Sequence, residues 1–333
     1  MRASANVDPA REGFTLVEML VVIVIIGILT GLILGAVVRA RSAASIAVVK
    51  GEIAQMDTAL QNYQNEFTEL PPDFGHADAV ERHLRKAFPR YAPNGDRLGN
   101  RATDGRPNGT FYERFANDVY DAYGGTIDPM LFDPASALVF WLGGLPEAVP
   151  GAGAQWIPAG FHADPTFPFR QGLPRTKALF DFDAARIAAV ESHYSDPNDS
   201  TSAPVLRFLR YYPRGVEAPY AYFKSHRASG TWQYQDEVSP GRWFQHAYQH
   251  AIVGAPLGNN CVPYRDPQNP PAWRNHDTCQ IVSAGLDGQF GNLLPDNGAS
   301  PNYRFSITAG NFTQGDYDNI TNFSERTLED EIE

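Results

Sequence analysis

Apolar residues crowd one end of the chain without a break. From Phe14 to Val38 the sequence is apolar except for threonine, glycine and a single charge, Glu18. A run of about 25 such residues is long enough to cross a hydrocarbon layer of about 30 Å as a helix. Beyond it the pattern changes. Ile46, Val49, Ile53, Met56, Leu60, Tyr63 and Phe67 recur at spacings of three and four, with Lys50, Glu52, Gln55, Asp57, Gln61 and Asn62 between them. This predicts that the helix continues as an amphipathic one whose stripe packs on a globular head. No proline stands between Pro9 and Pro71. A helix from Phe14 to Phe67 would be about 80 Å long, and Pro71-Pro72 would end it.

After residue 73 the pattern is shorter and turn-rich. Asp133-Pro134 predicts a capped helix through Leu142, closed by Gly143-Gly144. Asp183 predicts a second helix through about Ser192. Strand-like runs stand at Val205–Tyr212, Tyr220–Lys224 and Ile281–Ser283. Segments 94–109 and 145–176 read as long surface loops. There is no internal repeat.

Composition narrows the picture. The chain has 333 residues, enough to bury a core. Its formal charge is −11, which argues against a chain-wide nucleic-acid face, so no nucleic-acid partner is expected. Basic residues flank the apolar run on both sides, Arg2 and Arg11 before it and Arg39, Arg41 and Lys50 after it. The positive-inside rule therefore leaves orientation open. Cys261 and Cys279 are the two cysteines. Outside the cytoplasm they would form one structural disulfide, contributing about 3 kcal/mol in the chain-entropy model. A metal pair or a reactive thiol is the competing reading, without CxxC spacing to support it.

A secretory signal peptide has a shorter apolar core than this run. A plain signal anchor fits the length but leaves Glu18 unexplained, because a charge at membrane depth is costly unless paired. Gly13-Phe14-Thr15-Leu16-Val17-Glu18, leading directly into the run, resembles the class III signal of type IV prepilins and type II secretion pseudopilins. The resemblance implies a leader ending at Gly13, prepilin peptidase cleavage before Phe14, N-methylation of Phe14, and pairing of Glu18 with the free amine of a neighbouring subunit. A buried amine and carboxylate, each costly alone, are tolerable together. The leader departs from the family pattern in having Glu12, not a basic residue, next to Gly13. Gly35 stands where many relatives have a proline. Gly27, Gly31 and Gly35 share a helix face, either permitting close helix approach or merely tolerated. Leu60 through Pro72 also resembles the end of the long pseudopilin helix.

The carboxyl-terminal part carries a second resemblance. Ser283-Ala284-Gly285-Leu286-Asp287-Gly288, followed later by Asp316-Tyr317-Asp318-Asn319-Ile320-Thr321-Asn322-Phe323, is similar to the calcium loop of the major type II secretion pseudopilin. It implies a structural calcium ion held by Asp316 and Asp318, with Asp287 and the Leu286 carbonyl as further candidates. Oxygen donors in a flexible loop suit that cation. The alternative is that Asp and Gly simply make turns.

Enzyme signatures are weak. His246 and His250 stand four apart, but Ala247 occupies the place of the zinc-hydrolase glutamate. No nucleophile elbow, Walker loop or dinucleotide fingerprint occurs. Two aromatic clusters, Tyr211, Tyr212, Tyr220, Tyr222 and Phe223, and Trp232, Tyr234, Trp243 and Phe244, read as sheet packing or as a ligand-binding surface.

The expected fold class is α+β, a long helix on an antiparallel sheet with large insertions. The expected parts are a leader at 1–13, a membrane or filament-core helix at 14–38, its amphipathic continuation at 39–70, and a head at 71–333 with the calcium loop at 283–323. The expected function is a non-enzymatic pseudopilin of a type II secretion system. Its partners would be prepilin peptidase, other pseudopilin subunits, the membrane, and an inner-membrane assembly platform with its ATPase. The anchor would cross the bacterial inner membrane once, with the head in the periplasm. A type IV pilus or DNA-uptake pilin, or a membrane-tethered enzyme or binding protein, are the alternatives.

Overall fold

The proline-free stretch forms one helix, α1 (Leu16–Phe67). The computed structural model describes residues 15–75, 77–93, 109–124, 127, 129, 132–148, 156–192, 205–228, 231–233, 248–249, 260–261, 263–264, 274–275, 277–291 and 314–331. The chain divides into two units, Met1–Ser45 and Ile46–Glu333.

In the first unit the helix presents its apolar side chains outward, from Val37 at 37% to Leu16 at 80% exposed. In the second unit the expected stripe is buried: Val49, Ile53, Met56, Leu60 and Tyr63. Ile46 and Phe67 pack against the same core from its edge. The helix stops at Phe67, and Thr68 takes a left-handed φ of 66°. The two prolines that follow have their carbonyls held. Tyr222 Oη donates to Pro71 at 2.6 Å, and Trp141 Nε1 donates to Pro72 at 2.8 Å.

The head adds α2 (Ala77–Ala87), α3 (Phe111–Ala122) and α4 (Pro134–Gly143). As its sequence predicts, α4 starts at an Asp133 cap whose carboxylate accepts the amides of Ala135 and Ser136. Every residue of α4 is buried, which suits a helix apolar on all sides. It ends at Gly144, with φ of 76°. A Cβ there would lie 2.3 Å from the Gly160 carbonyl carbon, so only glycine fits.

The strands are β1 (Pro146–Ala148), β2 (Trp156–Pro158), β3 (Ile187–Ser192), β4 (Val205–Tyr211), β5 (Ala221–Lys224), β6 (His226–Ala228), β7 (Thr231–Gln233), β8 (Tyr248–Gln249), β9 (Asn260–Cys261), β10 (Cys279–Ser283) and β11 (Ile320–Thr321). All named pairs are antiparallel, and the three-stranded sheet runs β11-β10-β5. The α+β class is therefore observed, with three of the strand-like runs appearing as β4, β5 and β10.

Two expectations are corrected. Asp183 caps only a single 3-10 turn, Ala184–Arg186, and β3 follows in place of a helix. Ile187 and Ala189 contact the core at a period of two, and β4 supplies the pairing partner. Segment 145–176 is not simply a surface loop. It contributes β1 and β2, and it buries Phe161 and Phe169 among Phe88, Phe115 and Phe140. Of 94–109, only Gly109 lies within the described residues.

Candidate functional site

Local chemistry sets the start of α1. Thr15 Oγ1 accepts the Glu18 amide at 3.2 Å, and the Glu18 carboxylate accepts from Thr15 N and Oγ1, each at 2.8 Å. This reciprocal arrangement is a capping box, for which Thr-x-x-Glu is the sequence signature. The motif reading gave Thr15 no role, although its spacing from Glu18 could have revealed the cap. Gly13 and Phe14 lie outside the described residues.

Beyond Glu18 the helix is long and apolar enough to cross a membrane. A Cβ added at Gly27, Gly31 or Gly35 would meet nothing within 4 Å, so that face is open.

The carboxyl-terminal turn is built around Asp318. β10 runs out at Ser283 into the turn 284–288, where Gly285 has φ of 61°. A Cβ on Gly285 would sit 2.5 Å from Asp318 Oδ2. That oxygen accepts the amides of Leu286 at 2.7 Å and Asp287 at 3.0 Å. Asp287 Oδ1 in turn accepts the Gln289 amide at 2.7 Å. Burial raises the Asp318 carboxyl above its ordinary range and the nearby Asp287 carboxylate adds to this, against the pull of the two amides. Asp318 Oδ1 is buried without a hydrogen-bond partner.

Asp316 sits apart from that pair in its bonding. It is buried, with Oδ1 accepting from Tyr264 Oη at 3.1 Å. Asn319 Nδ2 donates to the same Tyr264 oxygen at 2.8 Å, while Asn319 Oδ1 is buried and unpartnered. The turn thus brings Asp287 and Asp318 together and engages Asp316 with Tyr264. Among the described residues no three His, Cys, Asp or Glu side chains gather as a metal cluster. A calcium ion here would fit the Asp287–Asp318 pair and the unpartnered Oδ1, and would need carbonyl and water oxygens to complete its shell. Asn319 lies inside the quoted Asp316–Phe323 run, whereas Tyr264 carries no local motif that sequence could have flagged.

The structure does not show the expected disulfide. Cys261 and Cys279 are both buried and free. Cys261 in β9 is paired with Tyr248 and lies in the cluster of Tyr264 and Phe290. Cys279 opens β10 opposite Lys224 and lies in the larger core with Tyr222. Burial holds both thiols up in pKa, which disfavours the thiolate that a reactive cysteine needs.

His246 and His250 fall outside the described residues, and the two residues Tyr248–Gln249 between them form β8. Tyr211, Tyr220, Tyr222 and Phe223 are core residues. Of the second aromatic cluster, Trp232 stands in β7, and Tyr234, Trp243 and Phe244 fall outside the described residues.

Compared with known proteins, the chain matches the family described as the prokaryotic N-terminal methylation motif over residues 9–34. No curated protein and no solved structure matches it. The apolar helix and this motif fit a membrane-anchored pilin. Residues 9–34 are thus the signal of type IV pilins and pseudopilins, which implies prepilin peptidase processing and assembly with other pilin subunits.

Proposed function

We propose that this chain is a structural, non-enzymatic pseudopilin of a type II secretion system, anchored in the bacterial inner membrane with its head in the periplasm. The observation that carries this reading is the outward apolar face of α1 from Leu16 to Val38, with one carboxylate at its start. A surface of that kind needs lipid before assembly and other helices after it. Cleavage before Phe14 would create an amine on the residue next to Thr15 of the Thr15–Glu18 capping box. Assembly would then exchange the bonds that Glu18 receives from Thr15 for a neighbour's methylated amine. The pair would act as a register device, matching two charges that are each costly alone.

Repeated heterologous contacts of this kind do not close, so they build a helical filament. The platform protein and its ATPase would drive that polymerisation. The carboxyl-terminal turn supports the secretion version over a type IV pilus or DNA-uptake pilin. A calcium ion there would be held by Asp287 and Asp318, with the Leu286 carbonyl as a further candidate and Asp316 behind them, and would supply structural cross-linking of the turn.

Glu18→Ala tests the reading. Leader cleavage should persist while incorporation into filaments is abolished. Normal incorporation of the variant would contradict the assembly role and favour a membrane-tethered enzyme or binding protein.

A further inference from the structure

A second polar feature lies where α1 ends. A pocket of about 60 Å³ opens between the segment Glu69–Asp73, α2 and the end of β5. Glu69, Asp73, Arg82 and Lys224 supply its charge, and Leu70 and Pro72 form an apolar wall.

Both carboxylates are committed to the fold. Asp73 accepts the amides of Gly75 at 2.9 Å and Lys224 at 3.1 Å. Glu69 bonds His83 Nδ1 at 2.8 Å and pairs with Lys86 at 3.1 Å. The cations are not committed in this way. Lys224 Nζ donates to the Ser225 carbonyl at 2.9 Å, which engages one of the three donors of an ammonium. Among the described residues neither Lys224 nor Arg82 makes an ion pair. Lys224 is half-buried, and burial pulls its pKa down despite Glu69 and Asp73 nearby. A desolvated ammonium short of acceptors is a costly arrangement that an anion relieves.

We propose that this pocket is a carboxylate-binding site, with Lys224 as the inner donor and Arg82 at the mouth. The ligand is a single carboxylate on a short apolar stem, whether a free small acid or an Asp or Glu side chain of a neighbouring subunit. The apolar wall accepts the stem. Glu69 and Asp73 beside the pocket disfavour a dianion such as phosphate, because like charges repel at this range. The site is independent of the filament reading, since the head alone supplies every group.

The test is thermal unfolding of the full chain in detergent, with sodium acetate titrated against sodium chloride at equal ionic strength. Acetate should raise the melting temperature saturably above chloride. Lys224→Met should abolish that difference. Arg82→Gln, at an exposed position, should weaken apparent affinity by more than about tenfold, the scale of one charge-assisted hydrogen bond. Equal responses to acetate and chloride, or an Arg82→Gln variant with unchanged affinity, would overturn the proposal. In chains recovered from filaments, loss of the acetate response identifies a neighbour's carboxylate as the occupant. Its persistence identifies a free acid.

Discussion

The two halves of α1 are both rich in apolar residues, yet only one is satisfied within the chain. Val49, Ile53, Met56, Leu60 and Tyr63 are buried, at spacings that leave a polar face between them. Leu16 to Val38 has apolar residues on every side, and they are exposed. Both halves are helical, so the difference lies in patterning. An amphipathic stripe specifies one partner, the head. An apolar surface on all sides specifies a solvent, either lipid or a bundle of like helices.

Substitution should separate the halves most sharply. Leu60→Ala should cost the head about 2–5 kcal/mol, as expected for a large-to-small change in a packed core. Ile25→Ala should move the same transition by no more than about 0.5 kcal/mol. Chemical denaturation of the full chain in detergent compares them directly. Equal losses would mean that the first half also belongs to the folded core.

A smaller contrast should appear on acidification. Tyr63, in the packed half, hydrogen-bonds His83 Nε2 at 2.7 Å, and His83 bonds Glu69. Burial pushes the His83 pKa below its ordinary 6.5. The hydrogen bond from His83, ahead of other causes, holds the Glu69 carboxyl down at about 2. Both groups take up protons more readily in the unfolded chain, so their stabilisation is present at neutral pH and lost as pH falls. The loss should begin near 6.5 for His83 and near 4.5 for Glu69, continuing towards pH 2. His83→Gln should remove the upper part of that dependence in urea-unfolding midpoints. An unaltered profile would contradict the assignment.

The smallest effect belongs to the carboxyl-terminal turn, far from either half in sequence. Chelation should lower the melting temperature by roughly 2–4 °C for each kcal/mol of ion binding removed. Asp318→Asn should abolish the response. A melting temperature unmoved by chelator, with no metal by elemental analysis, would leave the turn closed by Asp318 and the two amides alone.

What sequence revealed and what it hid follow the same division between local and distant causes. The α1 stripe and the Asp133-Pro134 helix start were legible because spacing and capping are local. The segment after Asp183 was misread because its cap is genuine but short. Pairing with β4, from Ser192 opposite Val205 to Ile187 opposite Tyr211, decides that Ile187–Ser192 is a strand. The aromatic side chains of 145–176 likewise gain their place from Phe88, α3 and α4. At the carboxyl-terminal turn the resemblance pointed to Asp316 and Asp318 together. The fold places Asp287 near Asp318 and engages Asp316 with Tyr264, a distant partner that no local pattern announces.

The most direct measurement is intact and peptide mass spectrometry of the mature chain from membranes. The account predicts that it begins at Phe14, carries one N-methyl group, and keeps the apolar half of α1. A mature chain that retains residues 1–13, or one that has lost the stretch to Val38, would contradict it.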